Sequence, residues 1–304
     1  MNILLIRGAL EQGLMYSLVA LGLYLSFRTL SLADLTVDGS FTLGAAVSAA
    51  FTAAGHPYIA IPAAMLAGSL AGLATALLQT RMKVQSILAG IITMTALYSV
   101  NLRVLGGRSN LTLLRLETIY TTAKNLLPPA LAPWHKLIVA AAISTAVAAL
   151  LGGFLHTRLG LSIRATGDNP RMVSASSIDP RVTITVGLCI SNALPALSGA
   201  LIAQYQQFCD ITMGTGMVVI GLASLIIGEV IIGAHRRPTV RRGIAAAVLG
   251  GAIYWIIIAG AISSSISAND LKLLSALIVA AAISWPAVIS YVKFEMKKRA
   301  NRKC

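Results

Sequence analysis

The sequence predicts an all-α, polytopic membrane protein, and three observations carry that prediction. The 304 residues are 57% hydrophobic and only 11% charged. Several stretches approach about twenty residues with hardly a charge, the length a bilayer-crossing helix needs. These stretches are continuous apolar runs without the period-two alternation of a membrane β-barrel, and a soluble core does not hide such runs one after another. The net charge of +14 would suggest nucleic acid in a soluble protein. Here the bases flank apolar runs, so membrane topology accounts for them and no nucleic-acid partner is expected. Cys189, Cys209 and Cys304 have neither metal-ligand spacing nor the density of a disulfide framework.

Residues 2–12 (NILLIRGALEQ) either lie along the interface or lead directly into a first span at about 13–29. The opening has no small-residue cleavage pattern, so it is expected to stay in the mature protein. In LSLADLTVDGSFTLGAAVSAA, Asp34, Thr36, Asp38, Gly39 and Ser40 interrupt the apolar run, which resumes to about Ala54. This reads either as a discontinuous span, tolerable where carboxylates and bare backbone face protein or water, or as a plain loop between two ordinary spans. Pro57 opens another run to Gln79, closed by Arg81 and Lys83, and residues 85–105 form the next. The long polar connection 106–134 holds LTLLRLETIY, an expected amphipathic surface helix, and the breakers Pro128, Pro129 and Pro133. Residues 135–156 span again.

The stretch Arg158–Arg181, RLGLSIRATGDNPRMVSASSIDPR, is polar and bounded by spans. It reads as a short capped helix: Asp168 or Asn169 caps it, Pro170 suits its first position, and Asp179-Pro180 stops it. About nine residues remain between those marks, roughly 13 Å, far too short to cross a bilayer. Met172, Val173, Ala175 and Ile178 alternate with Arg171, Ser174 and Ser177, so one side is suited to press on a partner; a solvated loop with a helical turn is the plainer reading. The span 181–206 carries Asn192, Pro195 and Gln204, a polar set that belongs against other helices or a pathway.

QFCDITMGTGMVVIGLASLIIGEVIIG then echoes the earlier interruption: Asp34-Leu35-Thr36 with Gly39 and Gly44 is matched by Asp210-Ile211-Thr212 with Gly216 and Gly221. Such an echo fits an internal duplication of the kind found in transport proteins. Glu229 lies about six residues, roughly 9 Å, before the basic hinge HRRPTVRR. It is expected either to pair with an arginine such as Arg236 or meet water, or to take part in gating. Further spans follow at about 243–262 and 271–290, separated by SSSISAND, and KFEMKKRANRKC forms a basic tail.

Nine spans result, with eight or ten as alternatives. Placing the C-terminus inside collects about 17 of the 24 basic residues on that side. The two Asp-Thr interruptions then enter from opposite sides, as an inverted repeat of halves at about 9–105 and 181–292 within one domain, 1–304. No catalytic or metal-binding motif is present. GxxxxGK[ST] is missing too, so no enzyme activity and no cofactor are expected in this chain, and any ATP-driven work needs a partner.

RATGDNPRMVSASSIDP, LPALSGALIAQY and GLASLIIGEVIIG resemble the permease subunit of bacterial ATP-binding-cassette (ABC) importers of the branched-chain amino acid and ribose class. LSLADLTVDGSFTLGAAVSA and ILAGIITMTALYSVNLRVLGGRSN are similar more narrowly to permeases of tryptophan/tyrosine uptake systems. The resemblance covers nearly the whole chain. Asp34-Leu35-Thr36 stands where ribose-class relatives have an Asp-Leu-Ser type motif, and against those relatives the chain lacks a first span. The resemblance implies a homodimer in the bacterial cytoplasmic membrane with its C-terminus cytosolic, two cytosolic ATPase subunits that bind ATP and Mg, and an extracytoplasmic solute-binding protein. It implies a coupling helix formed by Asn169, Pro170, Arg171, Met172, Val173, Ser174, Ala175 and Ile178. The expected function is ATP-driven uptake of a small polar solute, foremost an aromatic amino acid, by alternating access. A secondary transporter or channel is the alternative. Candidate pathway residues are Asp34, Thr36, Asp38, Asn192, Asp210, Thr212 and Glu229.

Overall fold

Apolar runs become helices here because a chain without water must satisfy each amide internally. The computed structural model describes residues 3–128, 131–233 and 239–263, together with Leu273, Ala276, Leu277, Ala280 and Ser284. The expected last span at 271–290, the first half of the basic hinge including Arg236, and the tail lie outside the described residues apart from those single positions.

The first helix, α1 (Ile3–Leu23), continues as a π-helical turn over Tyr24–Thr29. The segment 2–12 is therefore the start of the first span, not a separate interfacial helix. There follow α2 (Thr36–Ala53), α3 (Ala60–Thr80) and α4 (Ser86–Val104), then strand β1 (Asn110–Thr112) and α5 (Ile119–Leu126). Next come α6 (His135–His156), α7 (Arg158–Asp168), α8 (Pro170–Ala175) and α9 (Pro180–Gln206). Strand β2 (Phe208–Asp210), α10 (Met217–Ile232) and α11 (Val240–Ser263) complete the described fold. Among the described residues, six stretches are long and apolar enough to cross a membrane: Leu4–Thr29, Ala60–Thr80, Ser86–Val104, Ala132–His156, Pro180–Gln206 and Val240–Ser263. The 18-residue α2 and the 16-residue α10 are the two shorter members of the bundle.

The centre of the bundle is α9, with 78% of its most apolar window enclosed against 17% for α6. Small residues let it sit there. A side chain on Gly44 or Gly68 would strike the α9 backbone at Ala196 or Asn192, and one on Gly199 would strike the carbonyl of Phe41. Without a hydrophobic drive between helices in lipid, such close approach and interhelical hydrogen bonds hold the bundle. Gly228 and Gly250 do the same between α10 and α11, meeting the carbonyls of Ala246 and Ser224.

One expectation fails locally. LTLLRLETIY is not an amphipathic helix: its first residues form β1, which pairs antiparallel with β2 through Asn110–Asp210, Leu111–Cys209 and Thr112–Phe208. The helix α5 begins only at Ile119, where Thr118 caps it and exchanges bonds with Thr121 (Thr118 Oγ1 from Thr121 N, 3.3 Å; Thr121 Oγ1 from Thr118 N, 2.8 Å). The amides of Leu113 and Ile211 extend the ladder to the carbonyls of Gln207 and Ser109 (each 2.9 Å). The backbone of this segment is thus satisfied by a partner about a hundred residues away, which local propensity does not register.

Candidate functional site

The first interruption is a re-entrant start. After Thr29 the chain leaves the helix, turns at Ser31 (φ +56°) and begins α2 at Thr36. The hydrogen bond from Ser40 to Asn192 places this start beside the middle of α9, about 12 residues or roughly 18 Å beyond Pro180. Polar groups there have no water, so they satisfy one another. Asp34 Oδ1 accepts from the amide of Thr36 (2.9 Å), and Oδ2 accepts from Asn192 Nδ2 (2.6 Å). Asn192 Oδ1 in turn accepts from Ser40 Oγ (2.7 Å), and the hydroxyls of Thr36 and Thr75 lie 2.7 Å apart. Asp34, Thr36, Ser40, Thr75 and Asn192 are all buried. From the sequence Ser40 enters only as part of the interruption, and Thr75 is not singled out, a hydroxyl in an apolar run being the only signal it offers.

The second interruption starts a helix from the other direction. Its turn passes through Gly214 and Gly216 (φ +87°), and α10 begins at Met217 and runs toward Arg28, opposite to α2. The cap comes from α2: Asp38 Oδ2 accepts from the amide of Gly216 (2.9 Å) and Oδ1 from that of Val218 (2.8 Å). Thr42 Oγ1 accepts from Gly214 N (3.1 Å). A carboxylate bound to the first amides of a helix also meets the positive end of its dipole. The first turns of two oppositely directed helices therefore meet inside the bundle, joined by Asp38.

The Asp-Thr echo is local. Asp210 Oδ1 accepts from the amide of Thr212 (2.7 Å) as Asp34 does from Thr36, and also bonds the Thr212 hydroxyl. But Asp210 ends β2, Thr212 is exposed, and the helix starts only after the intervening turn. Asp210 and Thr212 are thus apart from the buried group formed by Asp34, Thr36 and Asn192, and it is Asp38 and Thr42 of α2 that connect the two interruptions.

Glu229 is buried near the other end of α10 and carries a bidentate ion pair with Arg28, from Nε to Oε1 (2.8 Å) and from Nη2 to Oε2. The partner comes from the π-helical end of α1, while Arg236 is outside the described residues. The Arg28 side chain is 38% exposed, so water takes over much of what Glu229 supplies if the pair is broken. Glu229→Gln is expected to cost about 1 kcal/mol or less, read as a small drop in the thermal midpoint of the detergent-solubilised protein.

The polar stretch 158–181 holds two helices where one was expected. Thr157 caps α7, accepting from Gly160 N (3.3 Å), and Ile163 and Thr166 turn inward; the Thr166 hydroxyl lies 2.8 Å from that of Thr183. Gly167 presses on the carbonyl of Thr29, which brings α7 against the end of α1. Asp168 is the last residue of α7 and Asn169 caps α8, accepting from Arg171 N (3.1 Å) and Met172 N (3.2 Å). Ser177 (φ +60°) ends the turn, and Asp179 caps α9 through Arg181 N (2.9 Å). Val173 is 2% exposed and seats α8 on the bundle, whereas Met172 is 57% exposed. Asn169, Pro170, Arg171, Ser174, Ala175 and Ile178 also face outward.

Helices that begin inside a bundle of apolar spans, after non-helical backbone, fit a multi-pass membrane transport protein, since non-helical backbone at that depth is tolerated only inside protein or beside a cavity. The family described as branched-chain amino acid transport system / permease component matches residues 5–284, and the chain belongs to that family. It is 36% identical over 277 residues to the tyrosine transport system permease protein of Clostridioides difficile (strain R20291), covering 91% of this chain and 89% of the relative. It is 33% identical over 287 residues to an uncharacterised protein of Rickettsia prowazekii (strain Madrid E), covering 93% and 98%. No solved structure matches the chain. The family agrees with the resemblance drawn from the sequence motifs.

Proposed function

We propose that this chain is the permease subunit of an ATP-driven ABC importer for an amino acid, with aromatic side chains favoured. It works in the bacterial cytoplasmic membrane as a homodimer, with two cytosolic ATPase subunits and an extracytoplasmic solute-binding protein, and its C-terminus is cytosolic. The observation that carries the reading is α8: a capped, six-residue helix with an apolar side chain, Met172, held out from the bundle while Val173 anchors it. It lies on the side that bears Arg28, Arg158 and Arg181, the cytosolic side by the positive-inside rule. The aromatic preference is supported by the similarity to the tyrosine transport system permease protein of Clostridioides difficile.

In this mechanism, ATP-driven movement of the ATPase subunits displaces α8 and, through Val173 and α7, the end of α1 at Thr29. Arg28 passes the displacement to Glu229 and α10. The junction of α10 with α2 at Asp38 then opens to one side or the other. Asp34, Thr36 and Asn192 hold the fixed half of that junction, and Asp210 and Thr212 stand at its extracytoplasmic approach. The inverted repeat supplies the two opposing half-helices.

Met172→Asp places an unpaired carboxylate in the apolar seat of α8 and is expected to cut uptake at least about tenfold while leaving the bundle folded. The measurement is solute uptake and ATP hydrolysis in proteoliposomes containing permease, ATPase and binding protein. Hydrolysis that persists without uptake supports the coupling role. Unchanged uptake removes it, and solute accumulation by the chain alone on a proton or sodium gradient supports a secondary transporter instead.

A further inference from the structure

Between α6 and α11 runs a groove of about 620 Å³ that the bundle leaves open. Its α6 wall is small, with Ala148, Gly152 and Gly153, and its α11 wall is the apolar Ile244, Ala245 and Val248, with His156 and Arg241 where α6 ends and α11 begins. Among the described residues, a side chain added at Gly153 would meet nothing within 4 Å. From Thr145 to His156 the groove extends about 16 Å along α6, close to half of the roughly 30 Å hydrocarbon core, the depth of one leaflet.

The cationic end is on the basic side. Arg241 has no ion pair among the described residues. His156 Nδ1 lies 2.6 Å from the carbonyl of Gly152, which leaves Nε2 directed away from the helix backbone. We propose that this groove is a binding site for one anionic phospholipid of the basic-side leaflet, its phosphate on Arg241 beside His156 and one acyl chain along the small-residue face of α6. A free anion would use only the charged end and a neutral lipid only the wall, whereas an anionic phospholipid uses both. The site is independent of the substrate and of the ATPase assignment.

The test is native mass spectrometry of the full chain, extracted with phosphatidylglycerol and phosphatidylcholine of equal chain length. The wild-type chain is expected to retain phosphatidylglycerol preferentially. Arg241→Gln is expected to lower its retention about fivefold with phosphatidylcholine unaffected. Gly153→Leu fills open space with a better helix former, so the protein folds, and it is expected to displace both lipids. Equal retention of the two lipids by the wild-type chain, or equal phosphatidylglycerol retention by all three proteins, overturns the site. So does a disulfide cross-link, in a background free of other cysteines, from Gly153→Cys to Ala280→Cys or to Gly153→Cys of a second copy, because the groove is then filled by protein.

Discussion

Asp38→Ala is expected to unfasten α10 from α2 and abolish most transport while the individual helices stay inserted. The substitution leaves the amides of Gly216 and Val218 without their acceptors at a place water does not reach freely. Each unsatisfied donor costs about 1–3 kcal/mol, so a loss of about 2–4 kcal/mol is expected. In the thermal midpoint of the detergent-solubilised full chain this reads as a fall on the order of 5 °C. Asp38→Asn retains one acceptor oxygen and should lose about half as much. The informative control is Asp210→Ala. Although Asp210 is the sequence counterpart of Asp34, it bonds only the adjacent Thr212 in an exposed turn, and its loss should cost less than about 1 kcal/mol. A larger effect from Asp210→Ala than from Asp38→Ala contradicts the cap described here.

The second large effect is expected at Asn192. Its amide stands between Asp34 and Ser40, and Asn192→Leu strands a buried carboxylate oxygen and a buried hydroxyl at once. A loss of about 3–5 kcal/mol is expected, because half-satisfied buried networks are worse than apolar ones. The yield of monodisperse protein and its thermal midpoint should both fall. The double change Asp34→Leu with Asn192→Leu removes both partners together, and its cost should fall short of the sum of the single changes by more than about 1 kcal/mol. Strict additivity would show that the two side chains do not depend on each other.

The apolar runs at 57–79, 85–105, 135–156, 181–206 and 243–262 were legible because their signal is one-dimensional: length and hydropathy alone commit a segment to the bilayer. The polar break at Asp34 was visible, since two carboxylates and a glycine next to an apolar run need a place away from lipid, but its residues fit a discontinuous span and a plain loop alike. The capped stub at Asn169-Pro170 was readable because caps act within three residues. What failed did so for want of range. The helix α7 hides behind a polar composition and is held by Ile163 and Thr166 against α9 and by Gly167 against Thr29, contacts made after folding. The strand pairing of Leu111 with Cys209 overrode a helical pattern in the same residues. Nothing adjacent to Arg28 announced Glu229, which lies 201 positions away.

By itself the sequence determined which of the described segments are long and apolar enough for a membrane and where the chain between them is interrupted, because desolvation of a charge or a bare amide acts on each segment alone. Only the tertiary structure decided that Asp38 caps α10, that Asp34 belongs to Asn192 and that Arg28 belongs to Glu229. In a bilayer every buried polar group must find a partner, but the requirement does not name one. The partner is whichever side chain the packing of α2, α9 and α10 brings within about 3 Å.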